Sequence, residues 1–238
     1  MIYKKSGTLG GGLIGADTKL SVMGAFRIVE DAITEMFGEL SIDGITLKKQ
    51  YNAMWVFAKN RIRFIKSLDW GEKYYVECFI TDFSLVRLNV ETAVKNSCGE
   101  IVMYARTEIC ALDLTAGKIR KTNTVGINDG VKKEPSLIDI QFTKFADVDA
   151  PIVENATVRS TNIDFSRHTN NVEYIRFVIN TYSVEELLSR PIKEIEVRYA
   201  SQSFENDIFQ VRKSSIGDVD TVVIEKDGTQ VIKCEILR

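Results

Sequence analysis

The residues that could do chemistry are concentrated in one stretch, residues 162–182, which contains the only histidine of the chain, His168. Asp164 and Ser166 precede it at alternate positions. In an extended segment, side chains at alternate positions point to the same side, so these three side chains are predicted to lie together. A carboxylate, a hydroxyl and an imidazole in one place can activate a water molecule by accepting its proton.

After the histidine the period of apolar residues changes to three or four, which predicts an amphipathic helix. Its predicted buried stripe is Val172, Ile175, Val178 or Ile179, and Tyr182. Asn170 is a suitable N-cap, and Glu173 stands where it can complete a capping box. The first turn of such a helix offers N–H groups that can polarise a carbonyl oxygen. The alternative stays open that Asp, Ser and Thr here serve only as turn and capping residues.

Composition excludes several classes of protein. With 238 residues and 45% apolar content, the chain can form one large domain or two of ordinary size. The net charge of −2 argues against general nucleic-acid binding. The cysteines form no CxxC pair, which favours reduced thiols in a cytoplasmic protein over a disulfide framework or a zinc site. No apolar run approaches the roughly 20 residues of a membrane span, and nothing in the sequence indicates a cofactor or a metal.

The first half reads as a strand, a helix and a set of strands. The helix follows Asp17 to Ser21, and its predicted stripe is Val22, Phe26, Val29, Ile33 and Phe37. Four segments rich in β-branched and aromatic residues follow as predicted strands: Ala53 to Ile65, Lys73 to Asp82, Leu85 to Asn96 and Ile101 to Leu114.

The second half repeats this order. After the helix that follows His168, strands are predicted at Ile192 to Gln202, Asp207 to Ser214, Thr221 to Lys226 and Gln230 to Leu237. Gly99 to Val102 matches Gly228 to Val231, and Ile62 to Phe64 matches Val197 to Tyr199. The sequence therefore predicts an internal duplication of an α+β unit, a tandem double hotdog with two long helices packed on a continuous curved antiparallel sheet. The predicted domains are 1–130 and 151–238, joined by a linker at 131–150.

The chain resembles the plant and bacterial acyl-ACP thioesterases nearly end to end. In the first half the resemblance covers Ile14 to Thr18, Trp55-Val56, Trp70-Gly71 and Ala105 to Ile109. In the second half it covers Val158 to Ser160 and, most specifically, Asp164 to Tyr174. The family's pattern there is Asp-x-Asn-x-His-x-Asn-Asn-x-x-Tyr, and this chain has Ser166 where Asn is usual.

This resemblance implies hydrolysis of the thioester that joins a fatty acyl chain to the phosphopantetheine arm of acyl carrier protein. It implies catalytic roles for Asp164, Ser166 and His168, with Asp164 as the principal base. It also makes the helix start at Asn170 and Asn171 a candidate oxyanion site.

The family has a further catalytic glutamate on the strand after this helix. Here Gln202 stands at that offset, and an amide can position water but cannot act as a base. A register shift of one residue would bring Ser203 or Glu205 toward the site instead, and the sequence leaves this choice open.

The first half is expected to hold the acyl chain, since it lacks the histidine. Met23, Phe26, Ile33 and Trp55 are its candidate lining residues. Lys59, Arg61 and Arg63 lie on one strand and could attract an acidic carrier protein. The alternative interpretations are ordinary core packing for the apolar set and a solvated strand face for the basic one.

Three other functions compete with the first. An acyl-CoA thioesterase would perform the same chemistry on a different carrier. A hotdog dehydratase is disfavoured because no Phe-Pro-Gly turn follows the histidine. A non-catalytic acyl-binding module remains possible because of Ser166 and Gln202. The sequence does not distinguish a monomer from a homodimer.

Overall fold

A computed structural model describes residues 1–127, 131–146 and 149–238. The chain divides into two compact units, Met1–Gln141 and Phe142–Arg238. Within the described residues, no helix has both the length and the apolar character needed to cross a membrane. The separate roles assigned to the two halves, acyl binding and catalysis, remain predictions.

The first unit is one long helix packed on a five-stranded antiparallel sheet. The sheet has the order β1-β3-β4-β5-β2, a short strand β6 pairs with β5, and α1 packs on β1, β3 and β4. Its elements are β1 (Ile2–Thr8), α1 (Val22–Glu39), α2 (Gly44–Tyr51), β2 (Ala53–Phe64), β3 (Lys73–Phe83), β4 (Leu88–Asn96), β5 (Ile101–Asp113) and β6 (Ile119–Arg120).

The sequence pattern explains α1 well. Ser21 is the N-cap and accepts a hydrogen bond from the Gly24 amide, as its type and place predict. Of the predicted stripe, four residues are buried and Val22 is half-buried. Helix α2 was not predicted, although Asp43 caps it and Asn52 ends it in the left-handed conformation.

The second unit repeats the arrangement with a shorter helix. Its sheet has the order β8-β11-β10-β9-β7, also antiparallel. Its elements are β7 (Ile152–Thr157), α3 (Asn171–Ile179), α4 (Val184–Ser189), β8 (Glu194–Tyr199), β9 (Ile208–Ile216), β10 (Val219–Lys226) and β11 (Thr229–Leu237). Helix α3 packs on β9 through Phe177 and Phe209, whose ring centroids are 5.2 Å apart. The predicted α+β double hotdog is thus confirmed.

Several boundaries differ from the predictions, among them the strand predicted from Ile192 to Gln202, which the structure limits to Glu194–Tyr199, and two differences have an identifiable reason. The strand predicted from Leu85 begins at Leu88, because a bond from the Ser84 amide to the Arg87 carbonyl, 2.8 Å, closes a turn there. Helix α3 ends at Ile179 and not near Tyr182, because Ser183 forms a capping box with Glu186 and starts α4.

The predicted duplication is confirmed by repeated backbone hydrogen bonds. After β2, the amides of Ile65 and Lys66 donate to the Val102 carbonyl at 2.8 and 3.1 Å. After β8, the amides of Ala200 and Ser201 donate in the same way to Val231, at 2.8 and 3.3 Å. The turns matched in the sequence also agree, since Gly99 and Gly228 have φ of 79° and 73°. A positive φ of this size favours glycine at both places.

Candidate active site

The candidate catalytic residues lie in a tight loop between a short 3-10 helix, Ser160–Asn162, and α3. The Asp164 amide donates to the His168 carbonyl at 3.0 Å, and the Arg167 amide donates to the Asp164 carbonyl at 3.0 Å. Arg167 at the tip has a φ of 67°, in the left-handed region. The expectation of an extended segment before His168 is therefore wrong, because these bonds fold it into a turn.

The turn nevertheless brings the three predicted side chains together. The Ser166 hydroxyl donates to Asp164 Oδ1 at 2.5 Å, and its oxygen lies 3.0 Å from His168 Nδ1. The Ser166 amide also donates to the same carboxylate oxygen, at 2.8 Å. All three side chains are half-buried, so they remain open to a ligand. The result is a hydrogen-bonded chain of carboxylate, hydroxyl and imidazole.

The ring of Phe204, which was not predicted as a site residue, contacts the imidazole at a tilted angle. The centroids of the Phe204 and His168 rings are 5.1 Å apart. The Phe204 amide donates to Asp207 Oδ2 at 2.8 Å, and Lys226 Nζ lies 2.9 Å from the same oxygen. Phe204 is thus anchored through its backbone, and the residue as a whole stays 48% exposed. Only the tertiary contact reveals this residue, since its sequence position resembles an ordinary loop.

The segment after β8 lies against the loop that holds the candidate catalytic residues. The Ser203 carbonyl accepts from the Thr169 amide at 2.8 Å and from the Thr169 hydroxyl at 3.2 Å. Gln202 next to this contact is half-buried, Ser203 is fully buried and Glu205 is exposed. Burial raises the pKa of Tyr174. The hydroxyls of Ser203 and Thr169 act in the opposite direction and lower this pKa.

The start of α3 is arranged as predicted. Asn170 is the N-cap, and its side-chain oxygen accepts from the Val172 amide at 2.8 Å. The Glu173 and Tyr174 amides donate to the Asn170 carbonyl, at 3.0 and 3.3 Å. Within the described part of the chain, the Asn171 amide is the first-turn donor that none of these bonds uses. It is therefore a donor that a ligand oxygen can engage.

The first unit contains the same backbone loop with different side chains. The Gly15 amide donates to the Lys19 carbonyl at 2.8 Å, and the Thr18 amide donates to the Gly15 carbonyl at 3.1 Å. Thr18 has a φ of 61°, like Arg167 in the second unit. Gly15 and Lys19 therefore stand where the second unit has Asp164 and His168. This loop has neither the carboxylate nor the imidazole at those positions.

The residues predicted to hold an acyl chain all belong to the layer of α1 and its neighbours. Phe26 is buried, whereas Met23 and Trp55 are half-buried. The Trp55 indole donates to the Ile42 carbonyl at 2.6 Å, and its ring lies 5.1 Å from that of Phe37. Two clefts of about 470 and 450 Å³ are lined by other residues. The acyl-binding assignment therefore stays a prediction.

The basic residues on β2 are engaged within the first unit. Lys59 Nζ lies 3.1 Å from Glu108, and Arg61 donates to the Gln141 carbonyl. Lys59 is thus paired with a carboxylate, whereas Arg61 is bonded to a neutral carbonyl, and the docking role stays a prediction.

Residues 145–232 match the family model described as the acyl-ACP thioesterase C-terminal domain. No curated protein matches the chain at a significant level.

Three solved structures are similar over almost the whole chain. An acyl-ACP thioesterase from Bacteroides thetaiotaomicron has a TM-score of 0.89 and 17% identity, covering 99% of this chain and 97% of that chain. An oleoyl thioesterase (putative) from Lactobacillus plantarum has a TM-score of 0.86 and 16% identity, covering 99% and 95%. A 12:0-ACP thioesterase from Umbellularia californica has a TM-score of 0.84 and 17% identity, covering 99% and 96%. Each match extends through both units.

Proposed function

We propose that the chain is a member of the acyl-ACP thioesterase family of thioester hydrolases and that it hydrolyses fatty acyl-acyl carrier protein to a free fatty acid and the holo-carrier. The observation that carries this proposal is the hydrogen-bonded chain from Asp164 through Ser166 to His168. It supplies a base beside a helix start, which is what acyl transfer to water requires.

The single proton of the Ser166 hydroxyl decides the roles of Asp164, Ser166 and His168. A serine hydroxyl has one proton, and an ionised carboxylate can only accept. With that proton donated to Asp164, Ser166 Oγ can only accept from His168, so Nδ1 of the imidazole carries a hydrogen. Nε2 is then left as the basic nitrogen. This assignment makes His168 the base and gives Asp164 an electrostatic role, in contrast to the sequence-based expectation that Asp164 is the principal base.

The reaction then proceeds in two steps. Nε2 of His168 takes a proton from water as the water oxygen forms a bond to the thioester carbon. Asp164 stabilises the resulting imidazolium through Ser166. When the tetrahedral intermediate collapses, the carbon–sulfur bond breaks and Nε2 returns the proton to the departing thiolate. One group thus serves as base and then as acid.

The oxyanion needs a donor that is not already used. We assign this role to the Asn171 amide at the start of α3, where the partial positive charge of the helix adds to the hydrogen bond. Asn170 supports the site as the cap that fixes this first turn. Gln202 is assigned the positioning of water or substrate, since its amide can donate and accept but cannot take the proton.

The first unit is assigned the acyl chain, with Met23, Phe26 and Trp55 as its contacts. Its copy of the loop lacks the imidazole, so a binding role leaves the chemistry to the second unit. An acidic carrier protein is the proposed partner because the family acts on carrier-bound acyl chains.

The test is a hydrolysis assay with acyl-ACP substrates of graded chain length beside the matched acyl-CoA thioesters. We expect release of the carrier thiol, with kcat/KM higher for the ACP series. A higher kcat/KM for CoA would move the assignment to an acyl-CoA thioesterase. No turnover on either series would support a non-catalytic acyl-binding module and end the proposal.

A further inference from the structure

A buried polar cluster links the two ends of the catalytic loop. Asn162 lies just before the loop and Glu173 in the first turn of α3, and each is 8% exposed. Asn162 Nδ2 donates to Glu173 Oε2 at 3.0 Å, and the Asn162 carbonyl accepts from the Asn170 amide at 2.9 Å. Asn162 Oδ1 also accepts from the Arg159 amide at 2.8 Å. Asn162 is therefore bonded to the chain on both sides of the loop.

Arg176 completes this cluster. Its Nε and Nη2 donate to the two oxygens of the Glu173 carboxylate, at 2.7 and 3.1 Å. Burying a carboxylate is costly unless it is paired and hydrogen-bonded. The two-pronged contact with Arg176 supplies that pairing and fixes the carboxylate plane, since a guanidinium binds a carboxylate in a defined geometry. Glu173 thus presents one oriented oxygen to Asn162.

The first unit is an internal control for what this cluster does. Its equivalent loop has the same closing bond, from the Ser21 amide to the Leu13 carbonyl at 2.9 Å. There Leu13 replaces Asn162 and Gly24 replaces Glu173. A Cβ on Gly24 would lie only 2.1 Å from the Leu13 carbonyl oxygen, so loop and helix touch directly. The Ser21 hydroxyl also donates to the Leu13 carbonyl at 2.9 Å, so the same loop is closed there by a serine, with no carboxylate at position 24.

The second unit cannot use that close contact, because Glu173 has a side chain where the first unit has glycine. The loop and the helix are instead joined through the Asn162 amide and the Glu173 carboxylate. A buried acid is a more costly solution than glycine and leucine, and it occurs in the unit that carries the imidazole. Holding the fold of the loop does not account for it.

We propose that Asn162 and Glu173, supported by Arg176, are positioning residues that set the catalytic loop against the start of α3. This inference rests on the proposed function. They touch no reacting atom, and they act by holding Asp164, Ser166 and His168 in register with the Asn171 amide. Displacement of such groups by about 1 Å can cost on the order of 100-fold in rate.

The experiment reverses the hydrogen bond between the two residues. Asn162→Asp places a second carboxylate against Glu173, and we expect kcat to fall about 10- to 100-fold with a smaller change in KM. The double variant Asn162→Asp with Glu173→Gln restores one donor and one acceptor with exchanged roles, and we expect kcat to recover at least half of the loss on a logarithmic scale. Glu185→Gln, at an exposed position in the first turn of α4, is the matched control and should leave kcat unchanged.

A second readout does not depend on turnover. His168 is the only histidine, so nitrogen-15 labelling of histidine gives one imidazole in the NMR spectrum. Asn162→Asp should shift its tautomer populations away from Nδ1–H, and the double variant should return them. If Asn162→Asp does not fold, Glu173→Gln, which places an amide against Arg176, provides the same two readouts.

The outcomes separate this inference from the proposed function. Wild-type kcat and an unchanged imidazole spectrum in a folded Asn162→Asp variant would overturn the positioning role. A spectrum that changes and is restored by the double variant supports it, even if the wild type hydrolyses no acyl-ACP. In that case the proposed function fails and the positioning of the imidazole stands.

Discussion

At the residue scale, the arrangement of His168 depends on a single hydroxyl. Ser166 lies between Asp164 Oδ1 and His168 Nδ1, at 2.5 and 3.0 Å. The family pattern has Asn at this position, and an amide can donate and accept as well. In this chain the serine has only one proton to give, which decides the tautomer of the imidazole.

This gives a prediction for Ser166→Ala. The wild-type imidazole should be predominantly Nδ1–H, and removal of the hydroxyl should return it toward the Nε2–H form that free histidine prefers. Nitrogen-15 shifts of the single labelled histidine measure this directly. Ser214→Ala, on β9, is a serine control in the same unit that should leave the spectrum unchanged. A wild-type protein whose neutral imidazole is already Nε2–H would contradict the proton assignment.

The sequence predicted part of this site. Asp164, Ser166 and His168 lie two residues apart, so a local pattern was enough to group them. Phe204 was missed as a site residue because it reaches the loop only through the fold. Asn162 lies next to the loop in the sequence, but its bond to Glu173 forms only in the folded chain. The extended geometry was wrong because the pattern of side chains does not reveal the turn that Arg167 closes with a positive φ.

At the element scale, helix α1 contains two glycines in contrasting surroundings. A Cβ on Gly24 would meet the backbone of Leu13 at 2.1 Å, whereas nothing lies within 4 Å of a Cβ on Gly38. The close contact of helix and loop in the first unit therefore requires glycine at position 24. The sequence shows both glycines, but only the packing distinguishes them.

The two alanine variants should change stability in opposite directions. Gly24→Ala should destabilise the protein by about 1–3 kcal/mol, since backbone must move to admit the methyl group. Gly38→Ala should stabilise it by about 0.5–1 kcal/mol, because alanine is the better helix former at an open position. Urea unfolding of both variants measures the difference. Equal effects of one sign would show that the loop does not approach Gly24 as closely as described.

Helix α2 offers a test of pH dependence. Asp43 accepts from the Thr46 hydroxyl at 2.6 Å and from the amides of Ile45 and Thr46, and these bonds lower its pKa. A carboxyl whose pKa is lower in the folded state stabilises the protein above its unfolded pKa. That stabilisation is lost as the pH falls through the folded pKa.

Asp43→Ala should therefore cost about 1 kcal/mol near pH 7, the usual value of an N-cap, and less as the pH falls through the acidic range. Asp43→Asn keeps a capping oxygen that does not titrate, so its advantage over alanine should not depend on pH. Unfolding free energies of the three proteins across pH 2.5–7 provide the measurement, over the range in which carboxyl groups titrate. A pH-independent gap between wild type and Asp43→Ala would exclude the charged cap.

At the scale of the whole molecule, the duplication was the part of the fold that the sequence predicted most completely. The matched turns at Gly99 and Gly228 both have a positive φ, which favours glycine at each place although the neighbouring side chains differ. Helices α2 and α4 and strand β7 were missed because they are short and lack a sustained apolar period. The two copies of the loop share one backbone and differ in their side chains, and the proposed chemistry belongs to the copy that has Asp164 and His168.

The proposed division of labour rests on His168 as the group that moves the proton. The measurement that tests it most directly is kcat for acyl-ACP hydrolysis by the wild type and by His168→Ala, with the melting temperature of each protein as the control for folding. We predict that the variant loses about 100-fold or more in kcat while its melting temperature stays close to that of the wild type. A folded His168→Ala protein with wild-type turnover would contradict the account.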